Sequence, residues 1–320
     1  MSNEVRIHFC ESGPLRCHGV KAGQSGIESR MQDEGGDTVY AAGGAALLHD
    51  RNKRNKNMII DTHVHYDDEA FNEDREELLM SLRANGIDCV IDIGSSAESL
   101  PRVRALTEKY DFVYGAVGLH PDEVGDLTGE VMADLREDMK NPKILAVGEI
   151  GLDYYWNKEA KEIQKEAFRK QIRLAQEFGK PIVIHSREAA ADTLEIVQEM
   201  YGPGSAGEHI ERKGVMHCYS YAVEQARIYT RKLGFYLGIG GVVTFKNAKK
   251  LKEVVADTPM EYLILETDCP YLAPVPFRGK RNSSLYLPYV VSAIAELKEI
   301  SEEEVIRITA ANARRLFDIH

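Results

Sequence analysis

Short runs of β-branched and apolar residues alternate with longer amphipathic stretches from Met58 onward. The apolar runs lie at residues 58–60, 89–93, 112–117, 144–147, 182–184, 215–217, 235–239 and 262–265. Continuous apolar runs of this length are typical of strands buried on both faces. Between them, apolar residues recur at helical spacing, as at Phe168, Ile172 and Ala175, and Gly179 followed by Pro181 marks the end of that helix.

Eight buried strands that alternate with helices over about 260 residues predict a (β/α)8 TIM barrel, which is an α/β fold. A doubly wound open sheet is the alternative, because periodicity does not show whether a sheet closes. The segment Gly238-Ile239-Gly240-Gly241 lacks both the GxGxxG spacing and the acidic residue of a dinucleotide site. The sequence therefore gives no support for a Rossmann cofactor.

Residues 1–57 have a different composition, with eight Gly, few bulky apolar residues and no period of 2 or 3.6. Such a segment buries too little apolar surface to offset its ordering entropy. The sequence therefore predicts two parts: a disordered or non-native N-terminal extension at residues 1–57 and a TIM-barrel domain at residues 58–320. A nucleic-acid-binding arm is the other interpretation of the extension.

Charge and composition narrow the class of protein further. The chain has a net charge of −11, and residues 1–57 contribute +1 of it, which leaves −12 for residues 58–320. An acidic body argues against a broad basic face for nucleic acid.

The chain contains neither an apolar run of the roughly 18 to 20 residues that cross a bilayer nor a basic start leading into an apolar one, so we expect no membrane contact and a cytoplasmic location. The five Cys form neither CxxC nor a closely spaced even set, so a disulfide framework is not expected.

Histidines and carboxylates recur where the predicted strands end, although a buried sheet favours apolar side chains. Their positions are His63 and His65 after the first strand, His120 after the third, Glu149 after the fourth, His185 and His217 at the ends of the fifth and sixth, and Asp268 after the eighth. The carboxyl ends of barrel strands meet at one mouth, where enzymes of this fold place their chemistry. The sequence therefore predicts one polar cluster at that mouth.

The first two of these histidines are two residues apart, so both imidazoles point to the same side of an extended strand. A lone pair of this kind is weak evidence for a metal site, but its recurrence with other histidines and carboxylates is stronger evidence. Nitrogen and oxygen ligands without thiolate suit Zn²⁺, Mn²⁺ or Mg²⁺. A shared carboxylate would hold two such ions roughly 3.5 to 4 Å apart.

Basic residues stand near two of the strand ends. Arg187 lies two residues after His185, at an expected helix start, and Arg278-Gly279-Lys280-Arg281 follows the last strand. A guanidinium binds phosphate with two parallel hydrogen bonds, and a Gly between basic residues lets backbone amides approach. We therefore expect Arg187, Arg278 and Lys280 to contact an anionic substrate.

Together these residues resemble the TatD family of metal-dependent deoxyribonucleases, which belong to the amidohydrolase-like barrels. The motifs that carry the resemblance are Asp61-Thr62-His63-Val64-His65, Gly118-Leu119-His120-Pro121, Gly148-Glu149-Ile150-Gly151-Leu152-Asp153-Tyr154, His185-Ser186-Arg187, His217-Cys218-Tyr219-Ser220, Glu266-Thr267-Asp268-Cys269-Pro270-Tyr271-Leu272 and Pro276-Phe277-Arg278-Gly279-Lys280-Arg281-Asn282. The resemblance covers essentially all of residues 58–320. The extension at residues 1–57 departs from the family pattern.

The resemblance implies two divalent metal ions. It implies a first ion held by His63, His65, Glu149 and Asp268, and a second held by Glu149, His185 and His217. Glu149 would bridge the two ions, and His120 would contact the substrate or transfer a proton. The implied reaction is hydrolysis of a phosphodiester by water that the two metals activate, with Asp268 orienting that water and accepting its proton.

The resemblance also implies exodeoxyribonuclease-like cleavage of DNA. Because a barrel mouth is a pocket, a single-stranded end is expected to enter it in preference to a duplex lying across it. A sister hydrolase of a small amide or lactone would use the same metals but would not need Arg187 or the basic loop. A non-catalytic nucleic-acid binder is a third class, and it would need a basic surface with stacking aromatic side chains. The net charge of −12 on residues 58–320 disfavours that third class.

Overall fold

The computed structural model describes residues 58–320, so the predictions made for residues 1–57 lie outside the described part of the chain. Eight parallel strands form one sheet in chain order. They are β1 Ile59–Val64, β2 Ile87–Ile93, β3 Val113–Val117, β4 Ile144–Asp153, β5 Ile182–Arg187, β6 Gly214–Met216, β7 Tyr236–Ile239 and β8 Leu263–Leu265. Each of the eight predicted apolar runs overlaps one of these strands.

The first and last strands meet, so the sheet closes on itself. Val64 of β1 forms a parallel bridge with Cys269, just beyond β8. Backbone hydrogen bonds join the His65 amide to the Cys269 carbonyl at 2.9 Å and the Asp268 amide to the His63 carbonyl at 3.0 Å. The predicted (β/α)8 TIM barrel is confirmed, and the alternative of an open sheet is wrong because β1 pairs with the segment that directly follows β8.

One α-helix follows each strand, and a further helix ends the chain. Within residues 58–320 the helices are α1 Arg75–Leu82, α2 Leu100–Lys109, α3 Gly129–Asp138, α4 Lys161–Phe178, α5 Ala190–Tyr201, α6 Val223–Arg227, α7 Lys249–Asp257, α8 Leu287–Lys298 and α9 Glu302–Phe317. None of the helices in this part of the chain has the length and apolar character needed to span a bilayer.

The longest helix, α4, shows how the sequence determines these elements. Phe168, Ile172 and Ala175 recur at helical spacing and are fully buried where α4 packs on β4. Burying the two larger side chains stabilises the fold by about 1.5 to 3 kcal/mol each. The helix ends at Gly179, whose φ of +62° is left-handed and favours glycine. This helix end is where the sequence predicted it.

Strand boundaries differ from the prediction at β4, which runs six residues beyond the apolar segment 144–147 and is buried throughout. The backbone ladder with β5 continues to the pair Asp153 and Arg187, because strand pairing uses main-chain groups and tolerates Glu149 within the strand. Glu149 therefore lies inside β4, not after it. His63 likewise lies inside β1.

The expected helix start at Arg187 is wrong. Arg187 is the last residue of β5, and α5 begins only at Ala190. The pairing with Asp153 extends the strand to this point. Since Arg187 is two residues from His185 on one strand, both side chains project from the same face of the sheet.

A glycine in β4 gives a test of the packing behind the barrel mouth. Gly151 has a φ of +146°, and a Cβ there would lie 1.9 Å from the carbonyl oxygen of His185. Gly151→Ala should therefore lower the free energy of unfolding by roughly 2 to 4 kcal/mol, because backbone strain and overpacking add. Chemical denaturation measures the loss. Gly129→Ala is the matched control, since a Cβ there meets nothing within 4 Å, and equal stability of the two variants would contradict the prediction.

Candidate metal centre and active site

Six residues predicted at the strand ends lie in one cluster at the carboxyl ends of the strands. They are His63, His65, Glu149, His185, His217 and Asp268. Neighbouring ring nitrogens and carboxylate oxygens in this cluster are 2.8 to 3.8 Å apart. All of these side chains are buried except those of His185 and Asp268, which are partly buried.

His63 in β1 and His65 directly after it direct their Nε2 atoms at each other and at Asp268. The two Nε2 atoms are 3.2 Å apart, and Asp268 Oδ1 is 3.8 Å from that of His63 and 3.5 Å from that of His65. His65 Nδ1 lies 2.9 Å from the Ile93 carbonyl oxygen. Because a carbonyl only accepts, Nδ1 carries a proton, which leaves Nε2 as the ring atom that would bind a cation.

Glu149 lies between two sets of histidines. Its Oε2 is 3.6 Å from His63 Nε2 on one side. Its Oε1 is 2.8 Å from His185 Nδ1 and 3.8 Å from His217 Nε2 on the other. The two oxygens of this carboxylate therefore face different nitrogen groups, which is the arrangement that a bridging ligand requires.

A buried carboxylate that follows β8 lies beside the histidine that follows β6. His217 Nδ1 lies 3.2 Å from Glu266 Oε2, off the best hydrogen-bond direction, while its Nε2 is 3.6 Å from Asp268 Oδ1. Glu266 also accepts from the Cys218 amide at 2.6 Å. The space for this carboxylate depends on Gly238, where a Cβ would lie 2.0 Å from Glu266 Oε2.

His185 is held between two carboxylates. Its Nδ1 faces Glu149 at 2.8 Å and its Nε2 faces Asp153 Oδ2 at 3.1 Å. Burial lowers the pKa of His185, but the hydrogen bonds to Asp153 and Glu149 outweigh burial and raise that pKa to about 10. Asp153 thus fixes the ring from the side away from Glu149, in the position of a residue that orients a metal ligand.

Another buried carboxylate, Asp61, joins β1 to the segment that carries Asp268. It accepts hydrogen bonds from the Thr267 hydroxyl at 2.8 Å and the Ser284 hydroxyl at 2.7 Å. Burial raises the pKa of Asp61 to about 7, although these hydrogen bonds oppose the shift. Asp268 itself has a φ of +59°, a left-handed conformation that aspartate tolerates better than most residues.

Burial and neighbouring charges shift the pKa values of the cluster in opposite directions. Burial lowers the pKa of His65, yet the hydrogen bond and charge of Asp268 raise it to about 10. Burial raises the pKa of Glu149, but the charge of His217 and the hydrogen bond from His185 bring it well below its usual value. The carboxylate of Glu149 is therefore ionised at neutral pH, which is the form that binds a cation.

The donor set fits divalent cations. Ligand atoms about 2.1 Å from a tetrahedral Zn²⁺ stand roughly 3.4 Å apart. The atoms of two groups, His63 with Glu149 and His217, and His63 with His65 and Asp268, lie within 4.8 Å of one another. Imidazole nitrogens and carboxylate oxygens at this spacing suit Zn²⁺ or Mn²⁺, and carboxylates also suit Mg²⁺.

His120 lies beside the cluster but outside the two groups just described. Its ring is 4.3 Å from that of His185, centroid to centroid, at an interplanar angle of 69°. Burial and the charge of His185 lower its pKa to about 4, so the ring is neutral at pH 7. Because its Nδ1 accepts from the Asp122 amide at 3.2 Å, the proton of the neutral ring is on Nε2.

The predicted substrate-binding residues occupy different surroundings. Arg187 is partly buried, with its Cζ 3.9 Å from the centroid of the Tyr155 ring. Arg278 is exposed and lies over Phe245, with its Cζ 4.4 Å from the ring centroid, and Lys280 is also exposed. The substrate contacts assigned to these three basic residues stay predictions.

The last basic residue of the loop, Arg281, has a structural partner. Its Nη1 donates to Asp74 Oδ1 at 2.8 Å and to the Ala70 carbonyl at 2.7 Å, directly before α1. These bonds tie the basic loop to the barrel.

Three carboxylates in the site were not assigned a role from the sequence: Asp61, Asp153 and Glu266. A signal was present for two of them. Asp153 is four residues from Glu149 on one strand, so both point to the same face, and Glu266 directly follows the last apolar run, two residues before Asp268. Asp61 gave no such signal, because its partners Thr267 and Ser284 are distant in sequence.

Comparison with known proteins agrees with this geometry. The profile of the TatD-related DNase family matches residues 60–318. The chain is 45% identical over 263 residues to the uncharacterized metal-dependent hydrolase YabD of Bacillus subtilis, covering 82% of this chain and 100% of that protein. It is 36% identical over 270 residues to the uncharacterized metal-dependent hydrolase TatD of Mycobacterium tuberculosis, covering 82% and 98%.

A solved structure is similar over the same region. The crystal structure of YjjV, a TatD homologue from Escherichia coli, matches with a TM-score of 0.76 and 30% identity, covering 83% of this chain and 100% of that one. A (β/α)8 barrel whose mouth gathers histidines and carboxylates defines the class of metal-dependent hydrolases, and this protein is one of them. The chain belongs to the TatD-related DNase family, which confirms the resemblance carried by its motifs.

Proposed function

We propose that this protein is a deoxyribonuclease that hydrolyses phosphodiester bonds at single-stranded ends of DNA, using two divalent cations. The observation that carries the proposal is the position of Arg187, on the same face of β5 as His185 and two residues from it. A phosphodiester brings a full negative charge to this mouth, whereas an amide or lactone is neutral. A partly buried guanidinium beside the cluster suits the charged substrate.

We assign the two cations to the groups that share Glu149. His63, His65 and Asp268 complete the first group, and His185 and His217 complete the second. When bound, such cations lower the pKa of water and neutralise charge on a phosphate. The nitrogen and oxygen donor atoms suit Zn²⁺, Mn²⁺ or Mg²⁺.

The remaining steps belong to side chains of the chain itself. Asp268, whose side chain is 18% exposed, accepts the proton of the attacking water. His120, neutral with its proton on Nε2, donates a hydrogen bond to an oxygen of the substrate. Arg187 binds the phosphate oxygens and offsets charge that develops on phosphorus. Arg278 and Lys280 contact the nucleic-acid backbone beyond the cleaved bond.

The second candidate is hydrolysis of a small amide or lactone at the same centre. The experiment that separates the two uses the purified full chain loaded in turn with Zn²⁺, Mn²⁺ and Mg²⁺. Its substrates are single-stranded DNA, duplex DNA and RNA of one sequence, a small amide and a lactone. We expect single-stranded DNA to be shortened from an end and a chelator to stop the reaction. Turnover of the amide or lactone without any nucleic acid would establish the second candidate instead.

Arg187 gives a sharper test of the substrate class. Arg187→Ala should leave metal content unchanged but lower kcat/KM on a short single-stranded DNA by roughly 10- to 10³-fold, or about 1.4 to 4 kcal/mol. Arg187→Lys should recover only part of this loss, because an ammonium lacks the planar fork. Steady-state kinetics and metal analysis measure both quantities.

Arg227→Ala is the control, because Arg227 is exposed and pairs with Asp257 on the outside of the barrel. Its kinetics should equal those of the unsubstituted protein. An Arg187→Ala variant that cleaves DNA at the normal rate would contradict the assigned phosphate contact.

A further inference from the structure

Two neighbouring aromatic side chains are exposed directly after β4. Tyr155 is 42% exposed and Trp156 is 61% exposed. A group of neighbouring exposed aromatic rings often marks a binding surface. Because β4 ends at the barrel mouth, this aromatic pair lies on the same side of the molecule as the candidate metal centre.

A single carboxylate connects the aromatic pair to that centre. Asp153 Oδ1 accepts from the Tyr155 amide at 2.8 Å and from the Trp156 amide at 3.2 Å. Its Oδ2 is 3.1 Å from His185 Nε2. The turn that carries both rings is therefore held in a defined position relative to a predicted metal ligand.

The two rings and Arg187 form one layered group. The rings of Tyr155 and Trp156 meet edge to face, with centroids 4.7 Å apart and an interplanar angle of 87°. The Arg187 Cζ lies 3.9 Å from the Tyr155 centroid and 5.6 Å from that of Trp156. Arg187 thus stacks mainly on Tyr155, while most of Trp156 faces solvent.

We propose that Tyr155 and Trp156 form a stacking ledge for a nucleobase next to the phosphodiester that Arg187 binds, an inference that rests on the proposed function. Every base has a flat face that stacks on an aromatic ring without regard to sequence. Residues 58–320 carry a net charge of −12, so a broad basic face does not hold the nucleic acid. Instead, the strand is held by its end, because the guanidinium of Arg187 binds the phosphate and the ring of Trp156 stacks on the base.

The sequence supplies the probe for this ledge, because Trp156 is the only tryptophan in the chain. Titrating the metal-loaded protein with a hydrolysis-resistant phosphorothioate oligothymidylate should quench tryptophan fluorescence saturably. An abasic oligonucleotide of the same length and charge should bind without that quenching. Equal quenching by both, or by neither, would contradict stacking on Trp156.

Kinetics give an independent test. Trp156→Ala should lower kcat/KM on single-stranded DNA by roughly 10-fold, or about 1.4 kcal/mol, mainly through KM. The preference for base-bearing over abasic substrate should fall by the same factor. Trp156→Phe should restore part of it, since a smaller aromatic face remains. Met80→Ala, which removes a side chain that is 65% exposed on α1, is the control and should change nothing.

The outcomes distinguish this proposal from the proposed function. Normal DNA cleavage by Trp156→Ala, with no quenching in the unsubstituted protein, would overturn the ledge and leave the nuclease assignment intact. Absence of cleavage of any nucleic acid by the unsubstituted protein would overturn both. A Trp156 emission that shifts on dilution, together with a dimer mass in light scattering that Trp156→Ala abolishes, would reassign the ledge to a contact between two copies of the chain.

Discussion

Glu149→Gln should reduce turnover of single-stranded DNA by at least about 10³-fold, or about 4 kcal/mol, while the barrel stays folded. The substitution keeps the shape of the side chain but removes a negative charge from the residue whose two oxygens face His63 on one side and His185 and His217 on the other. Both cations should bind less tightly, and catalysis by two metals depends on both. Steady-state kinetics, metal content per chain and circular dichroism measure the three quantities.

Two further variants make this result specific. Glu199→Gln removes an exposed carboxylate that pairs with Arg169 at 2.7 Å, so it should change neither metal content nor turnover. Glu149→Asp keeps the charge but withdraws it by one methylene, and should retain more metal than Glu149→Gln. Near-normal turnover of Glu149→Gln with unchanged metal content would show that Glu149 does not bridge two ions.

The barrel could be predicted from the sequence because its strands and helices follow from local patterns of neighbouring residues. Each strand contains a short apolar run, and a helix end such as Gly179 has a local cause. The site was predictable for the same reason, since parallel strands bring residues such as His63 and His217 to one mouth whatever lies between them.

The features that escaped sequence analysis depend on contacts between distant segments. The particular contact that closes the predicted barrel, the bridge from Val64 to Cys269, is not visible in any local pattern. The extension of β5 to Arg187 follows from pairing with β4, because apolar periodicity stops at Ile184 while the backbone ladder continues. The sequence shows that the carboxylates Asp153 and Glu266 lie near strand ends. It does not show which histidine each of them faces.

Asp268→Asn should lower kcat on single-stranded DNA by roughly 10²- to 10⁴-fold, the usual contribution of a general base. Asparagine keeps the size of the side chain and accepts the left-handed backbone, with its φ of +59°, that most residues disfavour. Its amide oxygen can still face His65, but it cannot take a proton from water. Kinetics over a range of Mn²⁺ concentrations measure the loss.

The metal dependence separates the two roles that Asp268 has in the proposed mechanism. If Asp268 accepts the proton, kcat of Asp268→Asn stays low when Mn²⁺ saturates the site. Asp257→Asn is the control, because this carboxylate pairs with Arg227 on the outer surface and should leave kcat unchanged. Recovery of normal kcat by Asp268→Asn at saturating Mn²⁺ would show that Asp268 serves only to hold the cation, and the proton acceptor would have to be another group at the mouth.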